Sequence, residues 1–90
     1  MKTNYEVIIK RRVQRDAEKM PKGELIKWLN LVDDLAERGP ALGDWPNYSK
    51  LGKNEYHCHL SYRWVACWRH QAETIEIEVY YVGSRENAPY

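Results

Sequence analysis

Tyr56-His57-Cys58-His59-Leu60-Ser61-Tyr62-Arg63-Trp64-Val65-Ala66-Cys67-Trp68 is the stretch on which the fold turns. Taken with the period of two of a β-strand, it makes two strands, residues 55–60 and 63–68, joined by the short link Ser61-Tyr62. In the first of them His57 and His59 fall side by side on one face, with Cys58 and Leu60 on the other. A third candidate, residues 74–82, follows the polar link 69–73. It alternates Ile75, Ile77, Val79 and Tyr81 against Glu76, Glu78 and Tyr80, which predicts one buried face and one that is partly wet. An antiparallel meander of these three strands is the simplest topology.

Working outward, residues 48–51 form a marginal pairing segment between the loop chemistry of Gly43-Asp44-Trp45-Pro46-Asn47 and the turn signal Gly52-Lys53-Asn54. Further upstream the period changes. Leu25, Trp28, Leu29, Val32, Leu35 and Ala36 recur at helical spacing, with Lys27, Asp33, Asp34 and Glu37 on the wet side. Pro21 suits the first position of that helix, and Gly39-Pro40 stops it. Val13, Ala17 and Met20 mark a shorter amphipathic helix over residues 11–19. The β-branched and aromatic run Tyr5-Glu6-Val7-Ile8-Ile9 predicts an N-terminal strand inside the sheet. The expected fold class is therefore α+β in two layers: an N-terminal strand, an antiparallel helical hairpin, and a three-stranded antiparallel meander that covers the hairpin's apolar face.

Ninety residues form one domain, with room for one modest core and one site. No apolar run approaches the roughly 20 residues that span a bilayer, and the first residues lack the apolar core of a signal peptide, so the expected location is the cytoplasm, with no membrane partner. The net charge of +1 hides an uneven distribution. Residues 1–30 hold eight Lys/Arg against four Asp/Glu, residues 31–60 three against five, and residues 61–90 three against four. The excess gathers in Lys10, Arg11, Arg12 and Arg15, with Lys19 and Lys22. Such a run suits nucleic acid, although runs of this kind are more often a solvated helix face.

The chemistry-bearing residues each have two readings. A histidine pair on a strand is an acid–base couple or a half-exposed sheet face with ordinary hydrogen bonds. Arg63 is an anion-binding group or the partner of Glu76 or Glu78 across the sheet. Cys58 and Cys67 are best taken as small buried hydrophobes. Alternation turns Cys58 away from the neighbouring histidines and no Cys-x-x-Cys pair exists, so no metal site is expected. Trp28, Trp64 and Trp68 belong to the core, with Trp45 anchoring its loop onto the sheet.

The element order, the helical hairpin around Met20-Pro21, Tyr56-His57-Cys58-His59-Leu60, Tyr62-Arg63-Trp64-Val65, the closing Tyr81-Val82-Gly83-Ser84-Arg85 and the aromatic Tyr90 together resemble the RelE/ParE superfamily of bacterial toxins, over nearly the whole chain. The RelE-like branch cuts messenger RNA on the ribosome without a metal or other cofactor, using basic side chains on the open face of the sheet. The resemblance implies that His57 and His59 stand where such a toxin has two lysines. Arg63 and Arg85 would stand at two arginine positions, and Tyr90 near a C-terminal tyrosine. It also implies an acid role for the Arg85 position, a cognate antitoxin laying a helix or strand over the basic face, and a toxin–antitoxin hetero-oligomer. Two departures are plain: both lysines are histidines, and the link between their strand and the next is short.

That chemistry stands on independent ground. Metal-free RNA cleavage needs a base for the 2′-hydroxyl proton, cations for the phosphate as charge builds, and an acid for the leaving oxygen. A histidine exchanges protons near neutral pH, whereas an ordinary arginine keeps its charge and offers a planar fork to phosphate oxygens. Thus His57 and His59 are the candidate acid–base groups, Arg63 and Arg85 the clamps, and Tyr90 a stacking surface for an unpaired base. The alternatives are a ParE-like gyrase poison and a binding module of the same fold without catalysis.

Overall fold

The computed structural model describes residues 4–90, and its architecture follows from where each apolar period begins and ends. The N-terminal strand β1 spans Glu6–Ile9, helix α1 Arg11–Glu18 and helix α2 Lys22–Arg38. Four strands follow: β2 Ser49–Gly52, β3 Glu55–His59, β4 Trp64–His70 and β5 Glu76–Ser84. A 3-10 turn, Arg85–Asn87, closes the chain.

Helix α2 buries Trp28, Leu31 and Leu35, three residues at spacings of three and four. Leu29, expected on that stripe, is instead 54% exposed, because it lies about 100° around the helix from Trp28 and so off the buried arc. Gly39 ends the helix at φ +91°, a conformation that disfavours any side chain, and its N–H donates to the Leu35 carbonyl at 3.0 Å. A Cβ on Gly39 would also meet the Tyr5 ring at 2.8 Å. The start of the first strand is thereby seated on the end of α2, where the Tyr5 N–H donates to the Ala36 carbonyl at 2.9 Å.

The five strands form one sheet in the order β1-β5-β4-β3-β2. β1 pairs parallel with β5, as a strand separated from its neighbour by helices does, while all other pairs are antiparallel. The α+β class holds, with one addition. The marginal segment 48–51 is a full edge strand, so the meander has four strands rather than three. Its pairing is supplied by the turn at 52–54, which folds it back onto β3.

Helices and sheet meet over Ala17, Trp28, Leu31 and Leu35 on one side, and Cys58, Ala66, Trp68, Ile77, Val79 and Val82 on the other. The expected alternation along β5 breaks at Tyr81. Cys67 pairs with Tyr81 but Trp68 with Val79, so two residues of β5 stand where β4 has one, a bulge that leaves Tyr80 as the extra residue. Past the bulge Val82 takes the core face, and Tyr81 turns to the other side. Ile75, expected to be buried, lies before the strand and is exposed. Trp28 and Trp68 are core residues and Trp64 packs against them, as expected. Trp45 anchors its loop to α2 rather than to the sheet, its indole N–H donating to Asp34 at 2.8 Å. Cys58 and Cys67 are buried free thiols, pushed up to about 12 by burial and therefore inert.

Candidate active site

The face of the sheet turned away from the helices is organised by register. One row crosses it as Ser49, His57, Cys67 and Tyr81, and the next as His59, Val65 and Gly83. The period of two on β3 therefore does what the sequence implies: His57 and His59 share this face, their ring centroids 5.8 Å apart. His57 is only 8% exposed, yet its ring is not locked in apolar packing. Ser49 Oγ lies 3.0 Å from its Nδ1, which leaves Nε2 as the nitrogen free for chemistry.

The chain's end completes the site. Tyr81 donates its hydroxyl proton to the Ser84 carbonyl at 2.7 Å, and this crossing needs Gly83, where a Cβ would lie 2.9 Å from the Tyr81 hydroxyl. The Arg85 N–H then donates to the Arg63 carbonyl at 2.7 Å, tying the residue after β5 to the link before β4. The 3-10 turn sends the tail back across the sheet, and the Tyr90 ring comes to rest 4.4 Å from the His57 ring, tilted by 50°. Cys67, between His57 and Tyr81 in register, is fully buried beneath these rings.

Electrostatics set the protonation states. Burial pushes His57 below its ordinary 6.5, the neighbouring His59 adds to this, and a hydrogen bond to the Ser49 backbone opposes it. His59 is also lowered, first by burial and then by the Arg85 charge. Burial raises the Tyr90 phenol. At neutral pH the site therefore holds two mainly neutral imidazoles and a protonated phenol beside its two arginines.

Arg63 and Arg85 border an open trough of about 620 Å³, together with Tyr62, Trp64, Ser84 and Glu86. Arg63 forms no ion pair with Glu76 or Glu78. Glu78 is taken by Lys10 at 3.6 Å, and among the described residues neither Arg63 nor Arg85 has a carboxylate in salt-bridge range. His59 also borders a cleft of about 660 Å³ lined by Asp33, Asp34, Glu37, Asp44 and Lys27, in which Asp34 and Asp44 are paired with Arg38. His57, His59, Arg63, Arg85 and Tyr90 are thus gathered at one end of the open face. Lys10, Arg11, Arg12 and Arg15 are not among them: they lie along α1 and at its N-cap, and α1 packs on β5, two strands from β3. Arg11, Arg12 and Arg15 are exposed there.

Two contributors escaped sequence reasoning. Ser49 was not recoverable, because the turn closes on the pair Gly52 and Glu55, which by itself would set residue 50 against 57, and only the register shift between Lys50 and Gly52 brings Ser49 opposite His57. Tyr62 had no signal beyond its place in a link. Among the described residues no group of three or more His, Cys, Asp or Glu side chains is placed to hold a metal ion. Nor is any helix of the described residues long and apolar enough to cross a membrane.

No family model matches the chain, and no curated protein matches its sequence. Solved structures do share its fold. A chain of the archaeal RelE–RelB complex from Pyrococcus horikoshii OT3 superposes with a TM-score of 0.74 at 16% identity, covering 94% of this chain and 99% of that one. A chain of the YoeB–YefM complex from Staphylococcus aureus gives 0.67 at 13% identity, over 88% and 94% of the two chains. A chain of the RelBE2 toxin–antitoxin complex from Mycobacterium tuberculosis gives 0.58 at 18% identity, over 91% and 99%. The protein has a RelE-like fold.

Proposed function

We propose that the protein is the toxin of a toxin–antitoxin pair and that it cuts messenger RNA on the ribosome, without a metal ion, in the cytoplasm. The observation that carries this reading is the gathering of two neutral imidazoles, two carboxylate-free arginines and a tyrosine at one end of an uncovered sheet face. The fold supports it, since solved chains of the same shape come from complexes of toxins with antitoxins.

His57, with Nδ1 held near Ser49, takes the 2′-hydroxyl proton on Nε2, and the freed oxygen attacks the adjacent phosphorus. Arg63 and Arg85 hold the phosphate oxygens as negative charge builds on them. The P–O5′ bond then breaks, leaving a 2′,3′-cyclic phosphate on one fragment, and the departing 5′ oxygen needs a proton. Two groups are placed to give it. The Tyr90 phenol is protonated at neutral pH as any tyrosine is, and a phosphate bound beside His59 would favour the protonated imidazole. Arg11, Arg12 and Arg15 add a second cationic contact for the RNA or ribosome backbone, outside the reacting end. The cognate antitoxin binds over the arginine trough and the tail, forming a hetero-oligomer in which the phosphate clamp is covered.

The test is purified protein added to translating ribosomes and messenger RNA, with cuts mapped by primer extension in the presence of a chelator. The paired change His57→Ala with His59→Ala should reduce cleavage by about a hundredfold or more, as loss of general acid–base groups does. Arg63→Ala and Arg85→Ala should each slow it while the fold, read by circular dichroism, persists. Cleavage indifferent to the paired histidine change would sink the histidine site, and no cleavage by the parent would sink the nuclease reading. Inhibition of gyrase supercoiling without any RNA cut would replace it with the ParE-like alternative.

A further inference from the structure

We propose that the trough beside the histidines is a second nucleotide subsite, in which Tyr62 stacks an unpaired base and Arg63 with Arg85 holds the phosphate next to it. It rests on the reading of the protein as one that acts on single-stranded RNA.

Three observations converge. Tyr62 is 77% exposed, in the link between β3 and β4 where its ring contributes nothing to the core. The Arg85 guanidinium sits 5.2 Å from its ring centroid, so the cation and the aromatic form one platform rather than two scattered groups. The trough they border, about 620 Å³, falls inside the range of roughly 300–1,000 Å³ typical of small-ligand sites. An aromatic face coupled to an arginine is the chemistry that takes a base and its phosphate together, with little regard for sequence.

The position defines a path. The Arg85 N–H is bonded to the Arg63 carbonyl, so the two backbones are held side by side, and both residues line the trough. The Arg85 guanidinium lies against the Tyr62 ring on the trough side, and its charge also lowers the titration of His59. An RNA strand lying here has one phosphate on the arginines, the reacting 2′-hydroxyl toward His57, and its neighbouring base over Tyr62. Glu86, also in the trough, offers a carboxylate to the N–H donors on the edge of that base.

The experiment uses the full chain and a fluorescein-labelled oligoribonucleotide carrying 2′-deoxy sugars throughout its centre, so that binding is read by anisotropy with no cleavage. Tyr62→Ala should weaken binding about tenfold, the order expected for one lost base stack, and Tyr62→Phe should stay within about twofold of the parent. Lowering salt should strengthen the parent and the alanine variant in parallel, because the phosphate contacts are retained. Parent-like binding by Tyr62→Ala, an equal loss in Tyr62→Phe, or no binding by the parent overturns the subsite. Cleavage is measured separately. Tyr62-dependent binding in a protein that cuts no RNA leaves the subsite standing and removes the nuclease, whereas cleavage and binding both indifferent to Tyr62 do the reverse.

Discussion

The open face of the sheet carries two polar clusters built on the same three strands, and they are finished in opposite ways. At one end Glu55, Arg69 and Glu78 face one another in register. There the Tyr80 hydroxyl donates to Glu55 at 3.0 Å, the Arg69 guanidinium lies 4.2 Å from the Tyr80 ring centroid, and Lys10 pairs with Glu78. At the other end His57, His59, Arg63, Arg85 and Tyr90 have rings and cations with no carboxylate in salt-bridge range of either arginine among the described residues. Polar groups at a sheet surface that satisfy one another serve the fold. Groups of one sign left open are available to an anion. The difference teaches that strand position alone does not mark a site, because both clusters obey the same alternation; completion by partners does.

The comparison can be broken most forcefully at Tyr80. Tyr80→Phe removes the hydroxyl that serves Glu55 and should lower stability by about 1.5–3 kcal/mol in a urea titration, the range for a hydrogen bond to a charged group, while leaving RNA cleavage within about twofold. Loss of cleavage to the same degree as in the histidine variant would mean that the two ends act as one unit.

A second measurement sharpens the electrostatics of the unpaired end. Arg85→Gln should move the His59 titration, followed by NMR of its ring protons, upward toward 6.5, since the Arg85 charge is one of the two causes of its depression. The same depression makes stability depend on pH. A histidine whose folded pKa lies below the unfolded value of 6.5 is protonated first in the unfolded chain. The folded state therefore loses stability as pH falls through 6.5, and has it in full above that value. Replacing both histidines by glutamine should flatten that slope in thermal melts at pH 5 and 7.

The smallest effect belongs to the paired end's rim. Lys10→Gln breaks an exposed ion pair and should cost well under about 1 kcal/mol, fading further at high salt.

Much of this molecule was legible in the chain because periodicity reports local geometry. The alternation at 55–60 placed His57 and His59 on one face, the spacing from Trp28 to Leu35 announced α2, and Gly39-Pro40 ended it. Each rests on backbone repeats and caps that a few adjacent residues decide. The β5 bulge was not legible, because it exists only in the pairing of Cys67 and Trp68 with Tyr81 and Val79, and nothing in Tyr80 itself specifies it. Leu29 was misplaced for a related reason: a helix declares that it has an apolar side, but the partner surface decides which degrees of arc are covered.

The sequence by itself determined the element order, the α+β class and the facing of the two histidines, since these follow from steric periods of two and 3.6 along a single chain. Only the tertiary structure decided which charges meet. It set Ser49 against His57, brought Arg85 to the Arg63 carbonyl, laid Tyr90 on His57 and left Lys10 to Glu78. Those contacts join residues between 8 and 68 positions apart, and they form because closing the sheet fixes distances that no local preference encodes.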